Sequence, residues 1–583
     1  MTRARRLPLA VLLVGLLVVA IAAGDRHTAT VGVRESRLAA TMPAADARSS
    51  AWYCSGGPGG SGPSPDRVTI SNAGGVAVPV AVDVMVSGGA VREQLVNVAA
   101  RASRTLTVSS LSRDPTAALV VQPLGPSVVV AQGWAANGDV ASAPCATRSA
   151  STWFFAGGTS TTGAQEWLSL LDPYPVDAVV DVQAYTENGL RAPSSLQDLV
   201  VHAHSRVSVR IDPLVAQQHL VALQVHARNG QRVVATTAVV RPKTGGAAGV
   251  DASLSLGATE LARTWWFADN RDRPGASEQL VLANPGEADA TVRVELVSDL
   301  SAVIQARAVT VPAGTAAAVD YSGAAKANAN YTLSLHSSIP IVAETRATFD
   351  RARAPLAGSV TELGTTAAAH EWWFAGGPFT ATGLGGAEPH VPIGYDALMV
   401  MKPTTAAARL TTIANILHND GHVRRTFVIT QAAALKSFTT ANRDNPALVS
   451  GATASKVSPA FAIDLEDDAA SGWLRQRFVD DQNVAGFVFA QSAKPQVVDD
   501  IVVLNPGRHA ARVSVVASAA GGGLTAAGMT GVIVAPGRMI VISLVGLAKP
   551  SGAAVVSASQ PVVAERFVAL PGGATRSPGV PSP

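Results

Sequence analysis

Charge is scarce in this chain of 583 residues: Asp, Glu, Lys and Arg make up 15% of it, and the formal net charge is +3. No basic stretch interleaves with aromatics, so nucleic acid is not expected as a partner. Only seven lysines stand beside 38 arginines, and Ala, Val and Gly are heavily used, a composition that suggests a GC-rich bacterial genome. The chain has two cysteines, too few for a structural zinc site. No Gly-Lys dipeptide occurs, which removes a P-loop, and no Gly-x-Ser-x-Gly elbow is present. His370-Glu371 opens like a zincin helix, but Phe374 stands where the second histidine is needed. The Gly57, Gly59 and Gly62 spacing matches a dinucleotide fingerprint, yet Pro63 and Pro65 follow where a helix must begin, and a loop is the reading. His418 and His422 lack a third ligand, and Asp464, Glu466, Asp467 and Asp468 lack the spacing of a calcium loop. No cofactor, no metal and no catalysis are expected.

The N-terminus sets the compartment. Arg3, Arg5 and Arg6 precede an apolar run from Leu7 to Gly24, and Asp25-Arg26 ends it. A basic flank and about 18 apolar residues fit a single transmembrane helix whose basic side stays in the cytoplasm. Ala20-Ile21-Ala22 offers a signal-peptidase site, so the rival reading is a cleaved leader. Either way the remainder is expected outside the cytoplasm, at the membrane or secreted. Later apolar runs are short and β-branched, and no second span is expected.

What the chain has in abundance is one β pattern. Aromatic triplets begin at Trp52, Trp153, Trp265, Trp372 and, in degenerate form, Phe487, at spacings of 101, 112, 107 and 115 residues. Each is followed by an acid and alternating apolar residues: Asp66 with Val68 and Ile70, Glu166 with Leu168 and Leu170, Glu278 with Leu280 and Leu282. Asp396 with Leu398 and Asp499 with Ile501 continue the series. Period-two alternation marks strands with one buried face. Between strands stand Asn72, Asp172-Pro173, Asn284-Pro285, Lys402-Pro403 and Asn505-Pro506, where Asn or Asp caps a turn and Pro presets φ. About seven strands per copy give the fold class: all-β, tandem immunoglobulin-like β-sandwich repeats, about five, after one N-terminal transmembrane helix. A propeller or closed barrel is the alternative.

Alternation also orients the triplets. Trp52 and Cys54 point inward, as do Trp153 and Phe155, Trp265 and Phe267, Trp372 and Phe374. Tyr53, Phe154, Trp266 and Trp373 then face outward, as ligand-stacking or domain-contact aromatics. Cys54 and Cys145 lie at the two ends of the first copy, and in an oxidising compartment they are expected to form a disulfide. The recurring acid, and Glu344 and Glu565 beside Arg346 and Arg566, are read as structural because they repeat.

The motif Trp-x-Phe-Ala-Gly-Gly (Trp153 to Gly158, Trp372 to Gly377), the Leu-x-Leu-x-Asn-Pro turn and the closing Pro-Val-Val-Ala-Glu-Arg (Pro561 to Arg566) resemble a family of exported actinobacterial β-repeat proteins catalogued as a domain of unknown function. The resemblance, over roughly residues 50–570, implies a membrane-anchored or secreted envelope protein with no assigned activity. The expected organisation is an anchor at 1–24, a linker at 25–50, and repeats at 51–148 and 152–243. A linker at 244–261, a repeat at 262–352 and a linker at 353–369 follow. Repeats at 370–482 and 485–570 and a disordered tail at 571–583 end the chain, the whole forming a rod. The expected role is a non-catalytic scaffold or binding protein. Its partner would be an envelope protein, such as polysaccharide-assembly machinery, or a cell-surface glycan. A glycan-acting hydrolase or a carbohydrate-binding array is the alternative.

Overall fold

The computed structural model describes most residues from Leu38 to Ser582. Outside the description lie 1–37, Pro583 and the stretches 59–65, 137–138, 243–249, 274, 299–304, 325–329, 350–357, 520–521, 525–529, 545–551 and 571–572. Between 377 and 497 only the backbone of seven strands is described. Regular structure among the described residues is β apart from the short helical turns Val108–Leu111 and Ser194–Leu196.

Alternating burial builds each sandwich. Val78–Met85 and Ala290–Ser298 bury every second side chain, the condition for one face in a core. In the first sandwich one sheet runs Trp52–Cys54, Ala118–Pro123, Val78–Met85, Val91–Val98. The other runs Ala102–Thr107, Arg67–Asn72, Val128–Ala136, Asp139–Pro144. The second sandwich repeats this order, from Thr152–Gly158 to Val250–Leu256. In the third, Asn330–Phe349 is long enough to serve both sheets, its first half in one and its second half in the other. The expected turn staple is present. Asn284 Oδ1 accepts from Gly286 N at 3.0 Å while its Nδ2 donates to Ala288 and Val311 carbonyls, and Asn72 and Asn505 repeat the arrangement.

The copies close on themselves. Each sandwich ends in an inner strand: Asp139–Pro144, Val250–Leu256, Gly358–Leu363 and Gly573–Pro578. The first packs on the second, the second on the third, the third on the fourth, and the fourth on the first. Where the four strands converge on one axis, Ala, Ser and Thr alternate with larger residues such as Leu254, Leu256, Glu362 and Arg576. Among the described residues, four sandwiches therefore close into a ring in place of the expected rod.

Several expected boundaries change with it. The linkers at 244–261 and 353–369 contain the second and third inner strands, and the tail at 571–583 contains the fourth. The linker at 25–50 is seated from Leu38 onward, with Met42 N donating to Pro581 O at 2.8 Å and Thr147 N to Ala39 O at 3.0 Å. The opening strand Ala369–Phe374 pairs with Ala554–Leu570, Trp372 opposite Val556. The strands expected as fourth and fifth repeats are thus not successive sandwiches. Ala369–Phe374 and the strands after Val498 make one sandwich, and 377–497 is inserted into it with two sheets of its own. The degenerate triplet at Phe487 and the histidines His418 and His422 lie outside the described residues, as does the anchor at 1–24. Among the described residues no helix is long and apolar enough to cross a membrane.

Candidate functional site

The opening triplets are where sandwich meets sandwich. Trp52, Trp153, Trp265 and Trp372 are buried in their own cores, and three of them donate an indole N–H to a closing-strand carbonyl: Val233, Ile341 and Val562. The middle aromatics of the second to fourth sandwiches sit at the junctions. Phe154, 8% exposed, belongs to the core of the third sandwich with Leu280 and Leu282. Half-buried Trp266 packs with Val502, Leu504 and Val563 of the fourth, and Trp373 against the core that begins in the first. Tyr53 is half-buried against the core shared by the first two sandwiches. Each middle residue also bridges, backbone to backbone, to the chain just past its own inner strand: Ala146, Ala258, Thr365 and Val580.

The residues after the triplet are held by the next sandwich. Ala156 N donates to Glu344 Oε2 at 3.1 Å and Gly157 N donates to the same oxygen, while Ser255 Oγ donates to Oε1. Asp269 N donates to Glu565 Oε2 at 2.6 Å. Thr236, at the corresponding place in the second sandwich, donates to Gly56 O at 2.6 Å. Gly157 is required because a Cβ there would sit 2.7 Å from Glu344 Oε2 and collide with Thr361. The ring closes where Gly376 N donates to Ser71 Oγ at 3.0 Å and Thr575 Oγ1 to Ser142 O at 3.4 Å.

The recurring acids are buried as well. Asp66 pairs with Arg206 of the second sandwich at 2.6 Å, and Asp499 with Arg566 at 2.7 Å. Glu278 accepts from Arg271 N at 2.8 Å and from Tyr331 Oη. Burial pushes the Glu166 carboxyl well above the usual range, with Glu344 adding to the effect. A buried pair stripped of one partner leaves an uncompensated charge, so these positions tolerate little change. Asp396 lies outside the described residues.

One region of the ring is chemically distinct. At the junction of the third and fourth sandwiches Arg271 binds Asp269 at 3.0 Å and Asp500 at 2.7 Å and lies over the Phe567 ring at 4.0 Å. Arg576, from the fourth inner strand, reaches Asp269 and Glu362 at 3.5 Å and Glu278 at 3.6 Å. Burial raises the Glu565 carboxyl to about 7, and burial together with the neighbouring Glu565 drives Glu362 well above its ordinary value. Glu362 and Arg576 border a cavity of about 50 Å³ on the ring axis, walled by all four inner strands or their ends together with Leu38, Ala39 and Ala40.

Sequence reasoning did not find this cluster. Its members sit at unrelated positions of the repeat, and Glu362 and Arg576 fall in segments expected to be linker and tail. The strand Leu199–Val201 ends before His202 and His204, and exposed His202 pairs with Asp177 at 2.9 Å. Cys54 and Cys145 are bonded. Among the described residues no group of three or more His, Cys, Asp or Glu is placed to hold a metal ion.

A family model described as a family of unknown function (DUF5719) matches residues 122–371, from the strand Ala118–Pro123 to the opening strand of the fourth sandwich. No curated protein matches the chain. Among solved structures, Thermotoga maritima 1070 is 18% identical over 18% of this chain and 93% of its own, at a TM-score of 0.16. A tetra-tandem repeat from the extending region of a large adhesion protein is 12% identical over 76% of this chain and 99% of its own, at 0.13. The pilus backbone RrgB of Streptococcus pneumoniae is 11% identical over 60% of this chain and 86% of its own, at 0.09. The chain is similar, over the second and third sandwiches, to a family whose function is unassigned.

Proposed function

We propose that this protein is a non-catalytic scaffold or binding protein of the bacterial cell envelope. It would be held at the cytoplasmic membrane by residues 1–24, with the ring outside. The observation that carries this reading is the use made of the recurring residues. Glu344, Glu565, the Ala-Gly steps and Phe154, Trp266 and Trp373 join sandwich to sandwich, so the repeated motif serves construction. Their seats between sandwiches favour the domain-contact role over a row of sugar-stacking platforms. The disulfide supports an oxidising compartment. Paired antiparallel sheets in each sandwich support an immunoglobulin-like kinship, and the Trp-x-Phe-Ala-Gly-Gly motif and the composition support an actinobacterial source.

The partner this reading favours is another protein of the same membrane, such as one that assembles polysaccharide. The test is crosslinking of the tagged full-length chain in native membranes, followed by pull-down, mass spectrometry and glycan analysis. Recovery of one envelope protein in stoichiometric amount supports the scaffold. Recovery of polymer alone moves the reading to a glycan binder, and recovery of neither overturns it.

A further inference from the structure

We propose that residues 38–42 are a clasp over the one junction of the ring that no peptide bond crosses, and that the ring opens there when the clasp lifts. The inference concerns the ring itself and does not depend on the envelope role.

The chain runs from the first sandwich to the second, the second to the third and the third to the fourth, which ties those junctions covalently. Among the described residues no peptide bond joins the fourth to the first, and the two meet at a noncovalent seam. At each tied junction one position of the next sandwich reaches back to the residues after the triplet. It is the closing-strand residue opposite Ser169, Val281 or Val502, namely Thr236, Glu344 or Glu565. Thr236 donates to Gly56 O at 2.6 Å, Glu344 accepts from Ala156 N at 3.1 Å, and Glu565 accepts from Asp269 N at 2.6 Å. In the first sandwich the residue opposite Thr69 is Ala131, whose methyl can neither donate nor accept. At the seam Ala131, Trp373 and Ala375 border a cavity of about 30 Å³ instead. A junction without this clamp, and with a gap in its packing, is the one that opens most readily.

Residues 38–42 lie across that seam and bond to both of its sides. On the first sandwich, Ala39 O accepts from Thr147 N at 3.0 Å and Thr41 N donates to Thr147 Oγ1 at 3.0 Å. On the fourth, Met42 N donates to the carbonyl of Pro581, which stands opposite Trp372. Ala39, Ala40 and Met42 are buried there. The segment thus gives the seam a polar tie of the kind that Ala131 omits. So short a strap lifts by local opening, at a lower free energy than unfolding of any sandwich. Opening would bare Trp373 on the fourth sandwich and Ser71 and Ser142 on the first, with the other three junctions still made.

The test is hydrogen–deuterium exchange on the full-length chain, read at amides that bond across junctions: Met42 and Gly376 at the seam, Gly157 and Asp269 elsewhere. In the wild type the seam amides should be less protected by about fivefold or more, what one hydrogen bond contributes. Met42→Asp sets a charge where the clasp is buried and should lower protection at Gly376 by a further factor of about ten, with Gly157 and Asp269 unchanged. Ala131→Thr supplies the hydroxyl that Thr236 uses in the second sandwich and should raise protection at Gly376 about fivefold. Equal protection at all junctions, a loss in Met42→Asp that spares Gly376 or spreads evenly round the ring, or no gain in Ala131→Thr overturns the proposal. Should Met42→Asp fail to fold, the wild-type comparison and Ala131→Thr decide.

Discussion

Phe155 and Gly257 occupy in the second sandwich the places that Cys54 and Cys145 occupy in the first. The two cysteines stand 4.8 Å apart at Cα and are bonded, joining the opening strand to the chain just past the inner strand. In the other three sandwiches a phenylalanine ring covers a glycine instead. A Cβ on Gly257, Gly364 or Gly579 would lie 2.5, 2.6 or 2.7 Å from the ring tip of Phe155, Phe267 or Phe374. One fastening is covalent and three are aromatic, at the same point of the fold.

That equivalence makes two fastenings comparable in one experiment. Gly257→Ala pushes a methyl into a packed ring and should cost about 1–3 kcal/mol, the usual range for overpacking. Reducing Cys54–Cys145, which closes a loop of 91 residues in sequence separation, should cost roughly 4–5 kcal/mol in the chain-entropy account. Denaturant titrations with and without reductant check both. A Gly257→Ala protein as stable as wild type would show that the ring does not need bare backbone beneath it.

The junction between the second and third sandwiches depends on Gly157 in the same way. Gly157→Ala should destabilise by about 1–3 kcal/mol, because Glu344 and Thr361 leave no room for a methyl. Gly75→Ala is the matched control, with nothing within 4 Å of the added carbon, and should stay within about 0.5 kcal/mol of wild type. Thermal melts of the pair separate a junction requirement from a general cost of losing glycine.

The strands that make the cores were legible because Val, Ile and Leu alternate along them, and alternation is a local signal. The turn staples of Asn72, Asn284 and Asn505 were legible for the same reason. The inner strands were not: Val250–Leu256 and Gly358–Leu363 are short runs in which apolar residues mix with Ser, Thr and acids, and such runs, set between Gly-rich segments, read as linker. Nor could the sequence reveal that Trp372 pairs across an insertion with Val556, since order along the chain was taken for order in space. The cluster around Glu362 and Arg576 escaped because it is assembled from different sandwiches, and no spacing within one repeat encodes it.

Asp172 stands in the second sandwich where the first, third and fourth have Asn72, Asn284 and Asn505. Buried, its carboxyl is raised to about 6 by loss of solvent, against hydrogen bonds from the Tyr174 and Ala178 amides. An acid whose folded pKa lies above its unfolded one stabilises fully below the unfolded value and loses that contribution as pH rises through the folded value. Wild type should therefore lose stability between about pH 4 and 6 at this position. Asp172→Asn removes that slope and restores the donor that Asn284 uses toward two carbonyls, so it should stabilise by about 1–2 kcal/mol at pH 7. Urea midpoints of the two proteins at pH 5 and pH 7 decide it. A variant no more stable at pH 7 would mean that the turn does not accept the amide.

The junction of the third and fourth sandwiches should respond to pH in the same sense and over a higher range. Glu565 is raised to about 7, first by burial, and Glu362 is raised further by burial and by Glu565. In the unfolded chain both release their protons near the ordinary glutamate value, so between roughly pH 4.5 and 7 the folded state binds more protons and stability falls with rising pH. The fall should be on the order of a few kcal/mol if the junction holds its geometry, and smaller if water enters and relieves the charge. Glu565→Gln keeps an oxygen for the Asp269 amide and discards the ionisation, so its stability should be flatter across the same window. Denaturant midpoints for wild type and variant at pH 5, 6.5 and 8 provide the measurement. A wild type that gains stability from pH 5 to 8, or a variant with an unchanged slope, would mean that these carboxyls are not what burial at the junction makes of them.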